Sequence, residues 1–305
     1  MQEIVLETNH LSKQFGKQKA VNSISIHVNR GDIYGFIGKN GAGKTTFLKM
    51  ASGLATPTSG SIKLFGHQDK ALKHQYAKVG VLIENPAIYP DMSAYDNLQM
   101  KCICSGIRGK DYIDEILDIV GLAHAGRKHT KKFSIGMKQR LGIAMALIGD
   151  PELLILDEPI NGLDPEGIAE IRDTIVKLNR ERKLTIIISS HILEELSKIA
   201  NRYGIIGSGK MLKELTREEL QQECTEKLEL KLENPQRAVP VLTGMGFHDF
   251  KIADQETIHI MEHFEMSGKI VMELCKQSIE IKSIVVTGVG IEDYFLQLTG
   301  GVYHV

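Results

Sequence analysis

Two stretches of this sequence bring together groups able to handle a phosphate. Gly38-Lys39-Asn40-Gly41-Ala42-Gly43-Lys44-Thr45 has the glycine spacing and Lys-Thr ending of a phosphate-binding loop, and it lies between an apolar strand pattern and a helical one. Glycines let backbone N–H groups converge on phosphate oxygens at a helix N-terminus. Lys44 adds a point charge, and the Thr45 hydroxyl can ligate Mg²⁺. The alternative is a glycine-rich turn before an ordinary helix. The second stretch, Leu153-Leu154-Ile155-Leu156-Asp157-Glu158-Pro159, is an apolar strand ending in two acids. Carboxylates placed so reach the C-terminal edge of a sheet, where ligands of α/β proteins bind. Two acids after a strand can equally be a solvated loop. With the phosphate loop upstream, Asp157 becomes a candidate magnesium ligand and Glu158 a candidate group to polarise an attacking water.

A third stretch, Phe133-Ser134-Ile135-Gly136-Met137-Lys138-Gln139-Arg140, precedes a helical pattern carrying Ile143, Met145, Ala146 and Leu147. Ser134 and the following amides therefore sit at a helix N-terminus suited to an anion. This segment resembles the signature sequence of ABC-type ATPases, and with the two nucleotide motifs it makes the chain similar to that family from about Ile4 to Lys213. The resemblance implies ATP and Mg²⁺ as cofactors. It implies an ATP-binding set of Gly38, Asn40, Gly41, Ala42, Gly43, Lys44, Thr45 and Thr46, and a catalytic set of Glu158, His191 and Lys44. It further implies a homodimer in which the signature of one subunit, through Ser134 and Gly136, closes over the ATP held by the other. Ile135 stands where the family usually has glycine, and Met137 where it usually has glutamine, which bears on the strength of that contact.

Three more positions take roles from the resemblance. Asn161-Gly162-Leu163-Asp164 resembles the loop that crosses the dimer interface, bringing Asp164 to the nucleotide. His191, in Ser189-Ser190-His191, resembles the switch histidine that contacts the γ-phosphate; an isolated histidine is more often a structural hydrogen-bonder, but its order after Glu158 matches the family. Phe15, in Gln14-Phe15-Gly16, fits the adenine-stacking aromatic, the alternative being a core phenylalanine.

Glu84, in Val81-Leu82-Ile83-Glu84-Asn85-Pro86, departs from the glutamine that most of the family carries to touch Mg²⁺ and to couple with the membrane subunit. Glutamate keeps the ligand oxygen and adds a charge, so the implied metal set is Thr45, Asp157 and Glu84. Glu84, the Gly-Met-Lys-Gln-Arg-Leu stretch ending at Leu141, the C-terminal unit and the Glu292-Asp293-Tyr294-Phe295 ending together resemble the bacitracin-type and lantibiotic self-protection exporters. That branch implies an ATPase subunit powering a separate integral membrane permease that expels a cationic or amphipathic peptide antibiotic. Other readings are an exporter of a different substrate, a soluble ABC protein remodelling nucleic acid or ribosomes, and an inactive binding module. One set of motifs without sustained heptads disfavours the remodelling reading, and intact Lys44, Asp157, Glu158 and His191 disfavour the inactive one.

The elements that must position these groups follow from periodicity. Ile4, Leu6 and Thr8 alternate with polar residues, as does Val21 to Val28, predicting two half-buried strands. Ile33 to Ile37 reads as an apolar strand, Lys44 to Leu54 as a helix closed by a turn at Thr58-Ser59-Gly60, and Val79 to Ile83 as a buried strand. Residues 93–149 read as a helical insertion opened by a Ser93/Asp96 capping box. The alternation resumes with Leu153 to Leu156, a helix over Ile168 to Leu178, a strand over Thr185 to Ser189 and a helix over Ile192 to Ala200. The predicted fold class is α/β of the P-loop NTPase, ABC ATPase type: a parallel-sheet core, antiparallel N-terminal strands, a helical insertion and a small C-terminal α+β domain. The expected domains are 1–215 for the ATPase, 216–226 for a linker helix and 227–305 for the small domain. The last reads strand, helix, strand, strand, helix, strand, the order of a split βαβ, ferredoxin-like unit. Its acids and histidines, such as His248 and His263, fit no catalytic constellation, which points to regulation or assembly.

Composition narrows the setting. With 305 residues, 42% hydrophobic, the chain can bury one large core plus a satellite. A net charge of -1 gives no electrostatic reason to expect nucleic acid as a partner. Apolar runs fall far short of the ~20 residues that span a bilayer. Met1-Gln2-Glu3 begins neither a basic nor an apolar leader. The expected location is cytoplasmic, peripheral on the inner face of the membrane through the permease. Cys102, Cys104, Cys224 and Cys275 lack zinc-site spacing and are expected to be free thiols.

Overall fold

The computed structural model describes residues 3–107, 109–224, 226–288 and 290–300. The chain divides into two compact units, Met1–Arg217 and Glu218–Val305.

In the first unit the strands are β1 (Ile4–Phe15), β2 (Gln18–Asn29), β3 (Ile33–Ile37), β4 (Ser59–Leu64), β5 (Val79–Leu82), β6 (Leu153–Asp157), β7 (Thr185–Ser190), β8 (Arg202–Gly207) and β9 (Lys210–Thr216). Its helices are α1 (Lys44–Ala51), α2 (Leu72–Gln75), α3 (Ala94–Cys104), α4 (Lys110–Ile119), α5 (Ile135–Leu147), α6 (Pro165–Arg182) and α7 (Leu193–Ser197), and α8 (Arg217–Cys224) runs across the boundary between the units.

Two sheets result. An antiparallel sheet runs β2-β1-β4, and a larger sheet runs β5-β6-β7-β3-β8-β9, parallel except for the β8/β9 hairpin. Strands β3, β6 and β7 are buried along their whole length, which accounts for the apolar runs Leu153-Leu154-Ile155-Leu156 and Ile186-Ile187-Ile188. Between the sheets, Phe36 of β3 stacks on Phe47 of α1 at 4.7 Å between ring centroids. Val5, Leu6, Ile24, Ile26 and Leu48 complete this core. Truncating Phe47 to Ala should cost about 3–5 kcal/mol, because the packed sheets cannot collapse into the void.

The expected turn at Thr58-Ser59-Gly60 is in fact the entry to β4. Only Ile62 and Leu64 face the core there, so the strand has too short an apolar alternation to be seen in sequence. Gly60 takes φ +87°, and a Cβ there would lie 2.4 Å from the His10 carbonyl oxygen, so β4 reaches β1 only because this residue is glycine. The helix expected over Ile192 to Ala200 closes early, at Ser197, since the chain must turn to place Asn201, whose side-chain oxygen accepts the Ile33 N–H at 2.9 Å. In contrast α6 is longer than Ile168 to Leu178: Asp164 and Pro165 start it earlier, and Lys183 in the left-handed region stops it. The Ser93/Asp96 capping box is present at the start of α3.

In the second unit, β10 (Lys227–Leu232), α9 (Pro235–Gly244), β11 (Phe250–Ile252), β12 (Thr257–Ile260), α10 (Ser267–Lys276), β13 (Ile281–Thr287) and α11 (Ile291–Leu298) follow in order. The sheet runs β11-β12-β10-β13, antiparallel throughout, with the unit's first strand between its third and fourth. Leu228, Leu230, Ile258 and Ile260 from its inner face pack with Leu242, Ile270 and Leu274. Within the expected linker and small domain, Thr225, Val289 and residues 301–305 lie outside the described residues.

Candidate nucleotide site

The sheet order explains how the distant motifs meet. Strand β7 lies between β6, which ends in the two acids, and β3, which feeds the glycine-rich loop. Whatever follows β7 therefore emerges between the loop and the acids, and that residue is His191.

The loop holds its curvature through left-handed glycines, Gly41 at φ +79° and Gly43 at φ +105°. A Cβ on Gly43 would fall 2.4 Å from the Ala20 carbonyl oxygen, and one on Gly38 2.6 Å from Ile206, so neither position admits a side chain. Asn40 and Gly41 are exposed, Ala42 is buried, and Thr45 and Thr46 are half-buried in the first turn of α1. Lys44 is only 6% exposed, and its ammonium donates to the Gly38 carbonyl at 2.6 Å.

The acids are built from the end of β6. The Thr45 hydroxyl donates to Asp157 Oδ2 at 2.7 Å, and the Ser189 hydroxyl donates to Asp157 Oδ1 at 2.6 Å. Glu158 departs from the strand at φ +48°, a left-handed conformation uncommon outside glycine. That turn aims its carboxylate at two cations or donors: Lys44 Nζ lies 3.0 Å from Oε1 and His191 Nδ1 lies 2.9 Å from Oε2. The Lys44 contact has ion-pair distance without hydrogen-bond geometry, which leaves Oε1 buried and otherwise unpartnered. Below the loop, in β3, the buried Tyr34 hydroxyl donates to Glu214 at 2.9 Å, and burial beside that carboxylate pushes the phenol well above its ordinary pKa.

Ser134, Gly136 and Asp164 gather elsewhere. Ser134 caps α5 by accepting the Met137 N–H at 3.2 Å, and Asp164 caps α6 by accepting the Gly167 N–H at 3.0 Å. With Gly136 and Gly162 they line a shallow cavity of about 480 Å³ that includes no residue of the glycine-rich loop. Within one chain the sequence-derived residues thus form two groups, one around Lys44 and one around Ser134.

Phe15 ends β1 with 56% of its surface exposed, so the core-phenylalanine alternative is excluded; Lys13 Nζ stands 5.2 Å from the ring centroid. Glu84 sits at φ +62° just past β5, and its carboxylate pairs with Lys49 Nζ of α1 at 2.5 Å rather than with Thr45 or Asp157. Lys49 and Ser189 are the two contacts that sequence reasoning passed over. A serine interrupting the Ile186-Ile187-Ile188 run was the available signal for the second. No helix among the described residues is long and apolar enough to cross a membrane.

Comparison with known proteins agrees with this architecture. Residues 21–161 match the family model described as "ABC transporter". The chain is 43% identical to the bacitracin transport ATP-binding protein BcrA of Bacillus licheniformis, over 97% of its own length and 98% of that protein's. It is 43% identical to the lantibiotic transport ATP-binding protein SrtF of Streptococcus pyogenes, over 69% of its length and 90% of that protein's. A solved dimeric ATP-binding cassette holding ADP and phosphate superposes with a TM-score of 0.63 at 21% identity, covering 70% of this chain and 98% of that one. A phosphate loop, a strand ending in two acids and a relative matched over nearly its whole length converge on one assignment: this chain belongs to the family of ABC transporter ATP-binding subunits, which hydrolyse ATP.

Proposed function

We propose that two copies of this chain bind two MgATP, close on one another, hydrolyse and reopen, driving a separate membrane permease that exports a peptide antibiotic of the bacitracin or lantibiotic class. The observation that carries the hydrolytic part is the contact of Glu158 with both Lys44 and His191 at the mouth of the loop. In this reading Glu158 takes a proton from water, while Lys44 and His191 face the γ-phosphate. Positioning and electrostatics supply most of the catalysis in phosphoryl transfer.

Thr45 and Asp157 offer hard oxygens side by side at the start of α1, a donor set that fits magnesium. These residues would hold the ion, which when bound neutralises phosphate charge. Glu84, held by Lys49, joins that set only if its ion pair opens.

Dimer closure is supported by the separation of Ser134, Gly136 and Asp164 from the Lys44 group, because a second copy is then needed to complete each site. Phe15, exposed at the end of β1, is free to stack on adenine. The export reading draws on the relatives named for bacitracin and lantibiotic transport. It places the chain in the cytoplasm, on the inner face of the membrane through its permease. Co-expression tests it: resistance to a peptide antibiotic should appear only when chain and permease are present together. Resistance from this chain alone would exclude the exporter role.

A further inference from the structure

The hydroxyl of Ser189 reaches both acids at once. It donates to Asp157 Oδ1 at 2.6 Å and accepts the Glu158 N–H at 2.9 Å. Parallel pairing of β6 with β7 sets Asp157 directly beside Ser189, and Ser189 has no exposed surface. The polarity of the arrangement is fixed. The amide can only donate, so the single hydroxyl proton must go to the carboxylate. Asp157 thereby keeps one oxygen occupied by Ser189 and turns the other to Thr45. The same hydroxyl holds the backbone of Glu158 where it enters its left-handed turn, and that turn aims the carboxylate at His191.

The geometry points to Ser189 as a positioning residue for ATP hydrolysis, one hydroxyl that fixes the oxygen Asp157 presents at Thr45 and the direction in which Glu158 leaves the strand. The inference rests on the roles proposed above for those two acids. Among the described residues no other side chain hydrogen-bonds both of them. Removing the hydroxyl leaves a buried carboxylate oxygen and a buried amide without this partner while touching none of the groups that face the nucleotide.

The test is Ser189→Ala, with Ser189→Cys as a variant that keeps the shape with a somewhat larger atom but carries only a weak donor. The expected result for Ala is a fall in kcat of ~10- to 100-fold with the KM for ATP changed less than about threefold, the signature of a lost positioning contact to a charged group. Binding supplies the second readout: the Mg²⁺ concentration that half-saturates binding of a fluorescent ATP analogue should rise ~3- to 10-fold, with Cys between Ala and wild type. Thr174→Ala controls for loss of a buried hydroxyl, since Thr174 is 7% exposed on α6 and its hydroxyl donates to the Glu170 carbonyl at 2.8 Å, away from both acids. It should lower the melting temperature and leave kcat and the Mg²⁺ dependence alone. If Ser189→Ala does not fold, the Cys variant decides the matter by the same two measurements. A kcat and Mg²⁺ dependence within twofold of wild type, in a protein whose turnover Glu158→Gln still abolishes, overturns the role of Ser189 alone. Turnover that survives Glu158→Gln as well overturns the reading of the acids beneath it.

Discussion

His191 and Glu158 face each other across 2.9 Å, Nδ1 against Oε2, although 33 positions separate them in the chain. Each is the first residue after a strand, β7 and β6 respectively, and those strands are neighbours. The pairing therefore follows from strand order rather than from any local preference of either residue. Glu158→Gln keeps the shape but removes the base and the charge that faces Lys44, so turnover should fall by roughly 10²–10⁴-fold while ATP binding persists. Sedimentation with ATP should then show an accumulated dimer. A mutant hydrolysing at the parent rate would refute the role of Glu158.

Phe15 offers a ring that is mostly solvent-exposed and supports no core. Phe15→Ala should raise the Kd for ATP about 2- to 10-fold, the worth of one aromatic contact, and Phe15→Tyr should leave it near wild type. Melting temperature should stay unchanged in both. Equal ATP affinity in all three proteins by calorimetry would remove Phe15 from the site.

Glu84 ties the loop after β5 to Lys49, one helical turn beyond Thr45. The carboxylate is 62% exposed, so Glu84→Gln should cost less than about 1 kcal/mol of stability. Basal hydrolysis should stay within severalfold, whereas antibiotic survival in the assembled transporter should change, because a coupling energy of ~1–3 kcal/mol can be lost without dismantling either site. Glu84→Ala should impair both. Identical behaviour of Gln and Glu in both assays would make the charge at this position neutral.

The four cysteines are free thiols, and burial raises the pKa of Cys102 and Cys224 above the ordinary thiol value. Thiolate is the reactive form, so at neutral pH maleimide should label exposed Cys104 and Cys275 well before Cys102, with labelling of Cys102 growing as pH rises. Mass spectrometry of timed samples gives the order. Early modification of Cys102 would mean that α3 opens readily.

We further expect the unit from Lys227 onward to carry no group of the nucleotide site. A chain ending at Cys224 should bind ATP within about twofold of the full-length protein, the change for a contact worth less than ~0.5 kcal/mol. Loss of ATP affinity in a truncation that still melts cooperatively would assign the second unit a direct part in binding.

What could be read from sequence was chemistry confined to consecutive residues. The glycine spacing from Gly38 to Lys44, the apolar run ending at Asp157 and the caps Ser93 and Ser134 each state a local backbone requirement in adjacent letters, and each sits where it was expected. The strand-helix alternation carried the parallel core for the same reason. Tertiary structure decided the rest. Weakly patterned β4 exists because β1 offers it an edge, and Phe15 is exposed because of where β1 ends. Ser189 lies beside Asp157, and Glu84 meets Lys49, only through strand order and register. Those are properties of how the sheet assembles around a shared core, and contacts across 32 and 35 positions leave no periodicity in the sequence from which they could be read.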